Sequence, residues 1–194
     1  MPKLYKKDSF KDNCGFGLIA NLQGRPSRKI VIDSIEALKS MTHRGGIGSD
    51  GKTGDGCGLM LNINKDFFIK AIKDEQNINL SNRFAIGQLF YFEDFQLVKS
   101  KIKKILNEEG LKLVTKRDVP INKDILGHIA LDCIPNIYQI FIESNNNMSD
   151  EEFETALLQS RKFIEEIHLN DEKLYFCSFS SKTIIYKGCL LYTS

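Results

Sequence analysis

Three short segments near the start of the chain combine residue types that can do chemistry. Cys14 stands in the run Asn-Cys-Gly-Phe-Gly, His43-Arg44-Gly45 follows an amphipathic stretch, and residues 45–58 form a glycine-dense run that contains Asp55. A thiol becomes a nucleophile once a base converts it to the thiolate, and flanking glycines let the backbone approach a ligand closely. Taken singly, each segment also has an ordinary explanation: a buried thiol, a helix C-terminus and a polar turn.

The glycine-dense run also contains a formal match to a nucleotide-binding motif. Residues 46–53 satisfy the P-loop formula G-x-x-x-x-G-K-S/T. A P-loop follows a strand and opens a helix, so that backbone N–H groups face the phosphates. Here a predicted helix precedes the run, the glycines of residues 54–58 are a poor helix start, and Asp50 would repel a phosphate. We therefore predict that this segment binds no nucleotide.

Composition excludes several classes of protein. The 194 residues include 27 basic and 25 acidic side chains, for a net charge of +2, and both signs are spread along the chain. This argues against a dedicated nucleic-acid binder. No apolar run is long enough to span a membrane, and no secretory signal is recognisable at the N-terminus. Five cysteines without CxxC pairs favour neither a zinc site nor a disulfide framework, and predict a cytoplasmic location.

Hydrophobic periodicity predicts one mixed α+β domain. A helix capped by Ser27 should present Val31, Ile35, Leu38 and Met41 on one face, and a helix capped by Ser149 should end with Ile167 buried. The other predicted elements are strands at 14–20, 59–63, 83–92, 111–115 and 136–143, helices at 65–72 and 97–108, and a β-hairpin of 175–179 with 183–186. Cys133 and Cys177 are expected to be packed thiols. The apolar C-terminus has no closing helix, which suggests a domain cut short.

Together, the three segments resemble the class II glutamine amidotransferase domain of the glutamate synthase large subunit, an N-terminal nucleophile hydrolase. The loop Asp-Gly-Lys-Thr-Gly-Asp-Gly after His-Arg-Gly is the most specific part of this resemblance. It continues through Arg117-Asp118-Val119-Pro120 and Leu126-Gly127-His128-Ile129-Ala130 to Ile185-Tyr186-Lys187-Gly188, and so covers nearly the whole chain.

The resemblance implies a specific reaction and specific residues. Residues 1–13 would be a leader, whose removal exposes Cys14 as the first residue of a glutaminase domain that begins there and is incomplete at residue 194. The α-amine of Cys14 would then serve as base for its own thiol. Arg44, Gly45 and Asp55 are expected to support the site, and the substrate is L-glutamine. The implied fold is the four-layer αββα sandwich, incomplete at the C-terminus.

The resemblance also implies what lies outside this segment. No cofactor is expected in these residues, whereas FMN and an iron–sulfur cluster belong to later domains of the full enzyme. Partners would be those domains and, as a further candidate, a small electron-donating subunit. We expect the segment to be inactive by itself. Two alternatives stay open: a glutaminase domain of another class II amidotransferase, and a non-catalytic module that binds glutamine.

Overall fold

A computed structural model describes residues 15–41, 46–145, 147–167 and 173–189 of the chain. The chain divides into two compact units, Met1–Gly45 and Gly46–Ser194. Among the described residues of the first unit, the helix is α1 (Arg28–Ser40), and the Ser27 hydroxyl accepts a hydrogen bond from Lys29 N at 3.1 Å, as the sequence predicts. No residue of α1 is buried.

The predicted strand at 14–20 is wrong over its described residues. Residues 15–20 have no regular secondary structure, and Phe16 and Leu18 are 97% and 89% exposed. A strand needs a neighbour to satisfy its N–H and C=O groups, and no strand in the described part of the chain pairs with this segment. Glycines at two of its positions also raise the entropic cost of ordering it.

The second unit contains helices and strands, which alternate along the chain except at its last two strands. They are β1 (Gly56–Asn62), α2 (Lys65–Gln76), β2 (Phe84–Tyr91), α3 (Phe95–Glu108), β3 (Leu111–Asp118), α4 (His128–Asp132), β4 (Asn136–Ser144), α5 (Asp150–Ile167), β5 (Leu174–Ser180) and β6 (Thr183–Cys189). Neighbouring side chains set the starts of three helices: Asn64 and Asp94 cap α2 and α3, and Ser149 forms a capping box with Glu152 at α5.

The strands form two antiparallel sheets. Four of them pair in the order β3-β4-β2-β5, and β1 pairs with β6 in a sheet of two strands. One hydrophobic cluster packs α3 and α5 onto one face of the four-stranded sheet, through residues such as Val98, Ile102 and Leu157. A second cluster on the other face contains Phe141, Phe68 of α2 and Ile184 of β6. The unit therefore has three layers: the helices α3 and α5, the four-stranded sheet, and the two-stranded sheet together with α2.

The sequence predictions for Ile167 and for the last two strands are wrong. Ile167, expected to be buried, is 53% exposed, because it ends α5 at the rim of a groove of about 340 Å³ that Ile105 and Phe163 also line. β5 and β6 do not form a hairpin, since each pairs in a different sheet.

Side chains satisfy the backbone where the chain crosses between these sheets. Ser180 Oγ accepts from Lys182 N at 3.0 Å, and Ser181 N donates to Glu154 Oε1 at 2.7 Å. Ile185 N of β6 donates to Ser178 Oγ of β5 at 3.1 Å. These bonds replace the ladder that a hairpin would have made.

A row of polar side chains crosses the four-stranded sheet on the face toward the second sheet. Arg117, Gln139, Gln88 and Ser178 are partners in register on β3, β4, β2 and β5. Gln88 and Gln139 are 2% and 1% exposed. Arg117 Nη1 donates to Gln139 Oε1 at 3.2 Å, and Arg117 Nε and Nη2 donate to the Glu75 carboxylate of α2 at 2.8–3.0 Å. The row thus links α2 to the sheet.

Candidate functional site

The predicted site residues are only partly covered by the structure. Cys14, Arg44 and Gly45 lie outside the described residues. Asp55 is described, together with the loop of residues 46–55 that leads from the His-Arg-Gly segment into β1. We call this stretch the 46–55 loop. Its geometry is what the structure contributes to the candidate site.

Asp55 closes the base of the 46–55 loop. Its Oδ2 accepts a hydrogen bond from Gly46 N at 2.7 Å, and its own N donates to Gly46 O at 3.2 Å. An isolated antiparallel bridge then pairs Ile47 with Gly54. Farther along, Gly48 N donates to Thr53 O at 2.6 Å. The two sides of the loop are therefore paired along their length, and Asp55 holds the backbone directly after Gly45.

Asp50 organises the tip of the loop. Its Oδ1 accepts from Lys52 N at 3.0 Å and from Thr53 N at 2.8 Å, and its Oδ2 accepts from Thr53 Oγ1 at 2.6 Å. The Asp50 side chain is only 3% exposed. These donors, the Thr53 hydroxyl first, hold the pKa of Asp50 far below its usual range, although burial opposes the shift. Asp50 is therefore a carboxylate at any pH near neutrality.

The same two side chains cap a helix far along the chain. α4 begins after Gly127, which has no side chain to cap it. Instead, Ile129 N donates to Asp50 Oδ2 and Ala130 N donates to Thr53 Oγ1, both at 3.2 Å. Orphan N–H groups of a first helical turn are normally satisfied by the residue that precedes the helix. Here the 46–55 loop satisfies them from 77 to 79 residues away.

The residues that match the P-loop formula do not have the structure of a P-loop. β1, a strand, follows the loop, where a P-loop would open a helix. The backbone N–H groups of Lys52 and Thr53, which would face phosphates, donate to Asp50. This described segment therefore has neither the following helix nor the available N–H groups that a P-loop uses to bind phosphates, as the sequence predicts.

Comparison with known proteins identifies the family. The model of the class-II glutamine amidotransferases matches residues 14–194. The chain belongs to this family. It is 40% identical over 185 residues to "Ferredoxin-dependent glutamate synthase 1, chloroplastic/mitochondrial" of Arabidopsis thaliana, an alignment that covers 91% of the chain and 11% of that protein.

Bacterial relatives give the same result. The chain is 37% identical over 195 residues to the NADPH glutamate synthase large chain of Azospirillum brasilense, in an alignment that covers 96% of the chain and 13% of the relative. It is 36% identical over 200 residues to the corresponding large chain of Bacillus subtilis, in an alignment that covers 98% of the chain and 13% of the relative. The chain thus spans about an eighth of the length of the curated relatives that it matches.

The described thiols of the chain have different environments. Cys177 is buried in β5, and burial raises the pKa of its thiol to about 11, which confirms the expected packed thiol. The sequence predicts that Cys133 is packed as well, but it is exposed, because it follows the short helix α4 and is not part of a strand. Cys57 of β1 is half-buried. Cys177 is therefore a poor nucleophile at neutral pH.

Two searches of the described residues gave negative results. Across residues 15–41, 46–145, 147–167 and 173–189, no three His, Cys, Asp or Glu side chains cluster as metal ligands would. Within the same residues, no helix has the length and apolar character needed to cross a membrane.

The sequence predicts Asp55 as a supporting residue of the site, but it does not predict that Asp50 and Thr53 cap a helix. Gly127 is the sequence signal for this cap, because a glycine has no side chain that could cap the helix after it. Another part of the chain must then supply the cap, but the sequence does not indicate which part. The polar row was also missed. Its only sequence signal is that Gln88 and Gln139 interrupt otherwise apolar strands.

Proposed function

We propose that this chain is the glutaminase domain of a glutamate synthase, which hydrolyses L-glutamine to glutamate and ammonia with Cys14 as nucleophile. The observation that carries the proposal is the start of the family match at residue 14. That boundary supports residues 1–13 as a removable leader and residues 14–194 as part of the catalytic domain. The relatives, whose printed names are glutamate synthases, favour this member of the family over other class II amidotransferases.

The mechanism follows from a cysteine at the start of a chain. A free α-amine has a pKa of about 7.7–8.0, close to working pH, so it can take the proton of the thiol on the same residue. The Cys14 thiolate then attacks the side-chain amide carbon of glutamine. The resulting tetrahedral oxyanion expels ammonia, with the proton returned from the amine, and leaves a γ-glutamyl thioester. Water hydrolyses the thioester to glutamate and frees the thiol.

Supporting residues have narrower roles in this proposal. Arg44 and Gly45 would lie beside the nucleophile, and Asp55 would hold the backbone that follows them. Donors to the oxyanion, which are worth about 2.7–4 kcal/mol each in such reactions, would come from segments after residue 194. The two sheets and the α3–α5 layer would be three layers of the four-layer αββα sandwich.

In the full-length protein, we propose that ammonia passes to later domains and converts 2-oxoglutarate to glutamate. Those domains would hold FMN and an iron–sulfur cluster, which supply the electrons for that reduction. The relatives are named for both ferredoxin and NADPH, so either donor, with or without a small electron-donating subunit, is compatible with the proposal. A cytoplasmic location remains a prediction from the cysteine pattern.

The decisive experiment uses the full-length protein. The mature chain should begin at Cys14 by intact mass or N-terminal sequencing, and a diazo-ketone glutamine analogue should alkylate Cys14. Cys14→Ser should abolish glutamine hydrolysis, because a serine hydroxyl is a far weaker nucleophile with the same base, while glutamate formation from free ammonia should survive at least in part. A leader that stays attached during glutamine turnover, or a label on Cys57, would show that Cys14 is not the nucleophile. Binding of glutamine without turnover would favour the non-catalytic module.

A further inference from the structure

The outer surface of the layer formed by α3 and α5 carries opposite charges on its two helices. The exposed charged side chains of α3 are three lysines and one glutamate, which give a net charge of +2: Lys101, Lys103, Lys104 and Glu108. Those of α5 are four carboxylates and one lysine, which give a net charge of −3: Asp150, Glu151, Glu152, Glu166 and Lys162. Within the described residues, the ion pairs of these helices include Lys104 with Glu108 on α3 and Arg161 with Glu165 on α5, and none joins α3 to α5. The charges are therefore segregated by helix.

Apolar side chains interrupt this charged surface. Leu97 of α3 and Leu158, Phe163 and Ile167 of α5 are 48–62% exposed. Phe163 and Ile167 also line the groove of about 340 Å³, together with Ile105 of α3. A single exposed apolar residue is common on protein surfaces, but several of them beside an apolar groove are typical of a surface that binds another protein.

We propose that the outer face of α3 and α5 is a self-association surface, to which a second copy of this chain binds about a two-fold axis. A face with one basic and one acidic half is complementary to itself. Rotation by 180° about an axis that runs along the groove, midway between the helices, places α3 of each copy against α5 of the other. Rotation about the perpendicular axis in the same plane would place α3 against α3, which brings like charges together.

The two components of the face have different roles in this contact. The opposite charges select the arrangement in which α3 meets α5, and they disfavour the alternatives. The apolar groove and the exposed side chains beside it supply the area from which water is excluded. The contact is independent of the proposed glutaminase chemistry, since it involves neither Cys14 nor the 46–55 loop.

Two charge-reversed variants of the full-length protein test this contact. Lys101→Glu with Lys104→Glu changes the exposed charge of α3 from +2 to −2, so both helices become acidic. Glu151→Lys with Glu166→Lys changes that of α5 from −3 to +1, so both become basic. The matched control, Lys70→Glu with Asp74→Lys, reverses two exposed charges on α2, which packs on the opposite face of the four-stranded sheet.

Association is measured by sedimentation velocity and light scattering. The unmodified protein should form a dimer that salt weakens, because exposed charges are screened. Each reversed variant should raise the Kd of the dimer by roughly 30-fold or more, since the two-fold axis makes every reversed charge act twice. An equimolar mixture of the two variants should form a heterodimer, because each acidic helix then meets a basic one. The α2 control should associate as the unmodified protein does.

Carbodiimide cross-linking tests the same contact without any substitution. In a mixture of copies with different isotope labels, the α3 lysines of one copy should become joined to the α5 carboxylates of the other. Mass spectrometry identifies these links as products that contain both labels. A dimer without such links would be held together by a different surface, which would overturn the proposal even if a reversed variant failed to fold.

Three further results would overturn the self-association surface. One is an unmodified protein that stays monomeric at micromolar concentration and above. Another is a dimer that neither charge reversal weakens, or two folded variants that do not associate when mixed. The third is a monomer in which Lys101 and Lys104 are protected from acetylation, since another segment of the same chain would then cover the face. Absence of glutamine hydrolysis is a separate outcome, which would contradict only the proposed function.

Discussion

Asp50 and Gly127, 77 residues apart in the sequence, lie in direct contact: a Cβ on Gly127 would be 2.0 Å from Asp50 Oδ2. No side chain other than hydrogen fits at that position without moving the carboxylate. We predict that Gly127→Ala separates the 46–55 loop from α4. Hydrogen exchange at the amides of Ile129 and Ala130 should become faster by roughly tenfold or more, the scale of one overpacked contact.

Gly56→Ala is the control for that experiment. A Cβ on Gly56 would meet no atom within 4 Å, so this change should leave exchange at α4 as it is. Equal exchange rates in Gly127→Ala and the unmodified protein would mean that the loop and the helix are not in contact.

A second glycine is required inside the four-stranded sheet. A Cβ on Gly87 of β2 would lie 2.6 Å from Phe179 Cδ2 and 2.7 Å from Ile140 Cγ1. Both neighbours belong to the cluster beneath α3 and α5, so they have little room to shift. We predict that Gly87→Ala lowers the free energy of unfolding by about 1–3 kcal/mol, measured by denaturant unfolding beside Gly56→Ala. A stability equal to that control would show that the sheet can relax there.

The sequence predicts the elements that have their own periodicity and caps. α3 and α5 carry apolar residues at helical spacing, and Val98, Ile102, Phe153 and Leu157 are buried. Their starts follow from local chemistry, since an aspartate or serine satisfies the first N–H groups. Such information lies within a few residues, so it can be read from the sequence alone.

The sequence does not predict features that depend on distant partners. β5 and β6 have the spacing of a hairpin, yet β5 pairs with β2 and β6 pairs with β1. The hydroxyls of Ser178 and Ser180 accept hydrogen bonds from the backbone N–H groups of Ile185 and Lys182. α4 is too short to form by itself and takes its cap from Asp50 and Thr53. Within the candidate site, the Asp-Gly-Lys-Thr-Gly-Asp-Gly motif predicts that Asp55 is a site residue. Only the structure shows that its carboxylate accepts a hydrogen bond from Gly46 N.

The reactivity of the thiols should follow their burial. Cys133 is exposed, whereas Cys177 is buried with a pKa raised to about 11, so at neutral pH very little of Cys177 is thiolate. We predict that iodoacetamide at pH 7.5 labels Cys133 and leaves Cys177 unlabelled until the protein is unfolded, as peptide mass mapping would show. Labelling of Cys177 in the folded protein at a rate similar to Cys133 would contradict its burial.

Residues 46–53 match the P-loop formula but should not bind nucleotides. Because the N–H groups of Lys52 and Thr53 donate to Asp50, they cannot also donate hydrogen bonds to a phosphate. We predict that millimolar ATP or GTP does not bind through residues 46–53. The measurement is protection of the Lys52 and Thr53 amides from hydrogen exchange, with Lys52→Ala as a comparison. Nucleotide-dependent protection that Lys52→Ala abolishes would restore the nucleotide hypothesis.

The ion pair of Glu75 and Arg117 should make stability depend on acid pH. Arg117 donates three hydrogen bonds of 2.8–3.0 Å to the Glu75 carboxylate, and these bonds hold the pKa of Glu75 below its ordinary value of 4.5. A carboxyl whose pKa is lower in the folded state stabilises the protein above its ordinary pKa. That contribution is lost as the pH falls through the folded-state pKa, so its window lies below about pH 4.5.

Glu75→Gln tests this linkage. The variant should be less stable than the unmodified protein at pH 7 by about 1 kcal/mol or less, since Glu75 is 42% exposed and solvent screens the pair. As the pH falls below 4.5, the unmodified protein should lose this advantage and the two denaturant midpoints should converge. Asp74→Asn, a change of the same charge at an exposed position of α2, provides the control. A difference between Glu75→Gln and the unmodified protein that stays constant from pH 7 to pH 3 would mean that the pair does not couple protonation to folding.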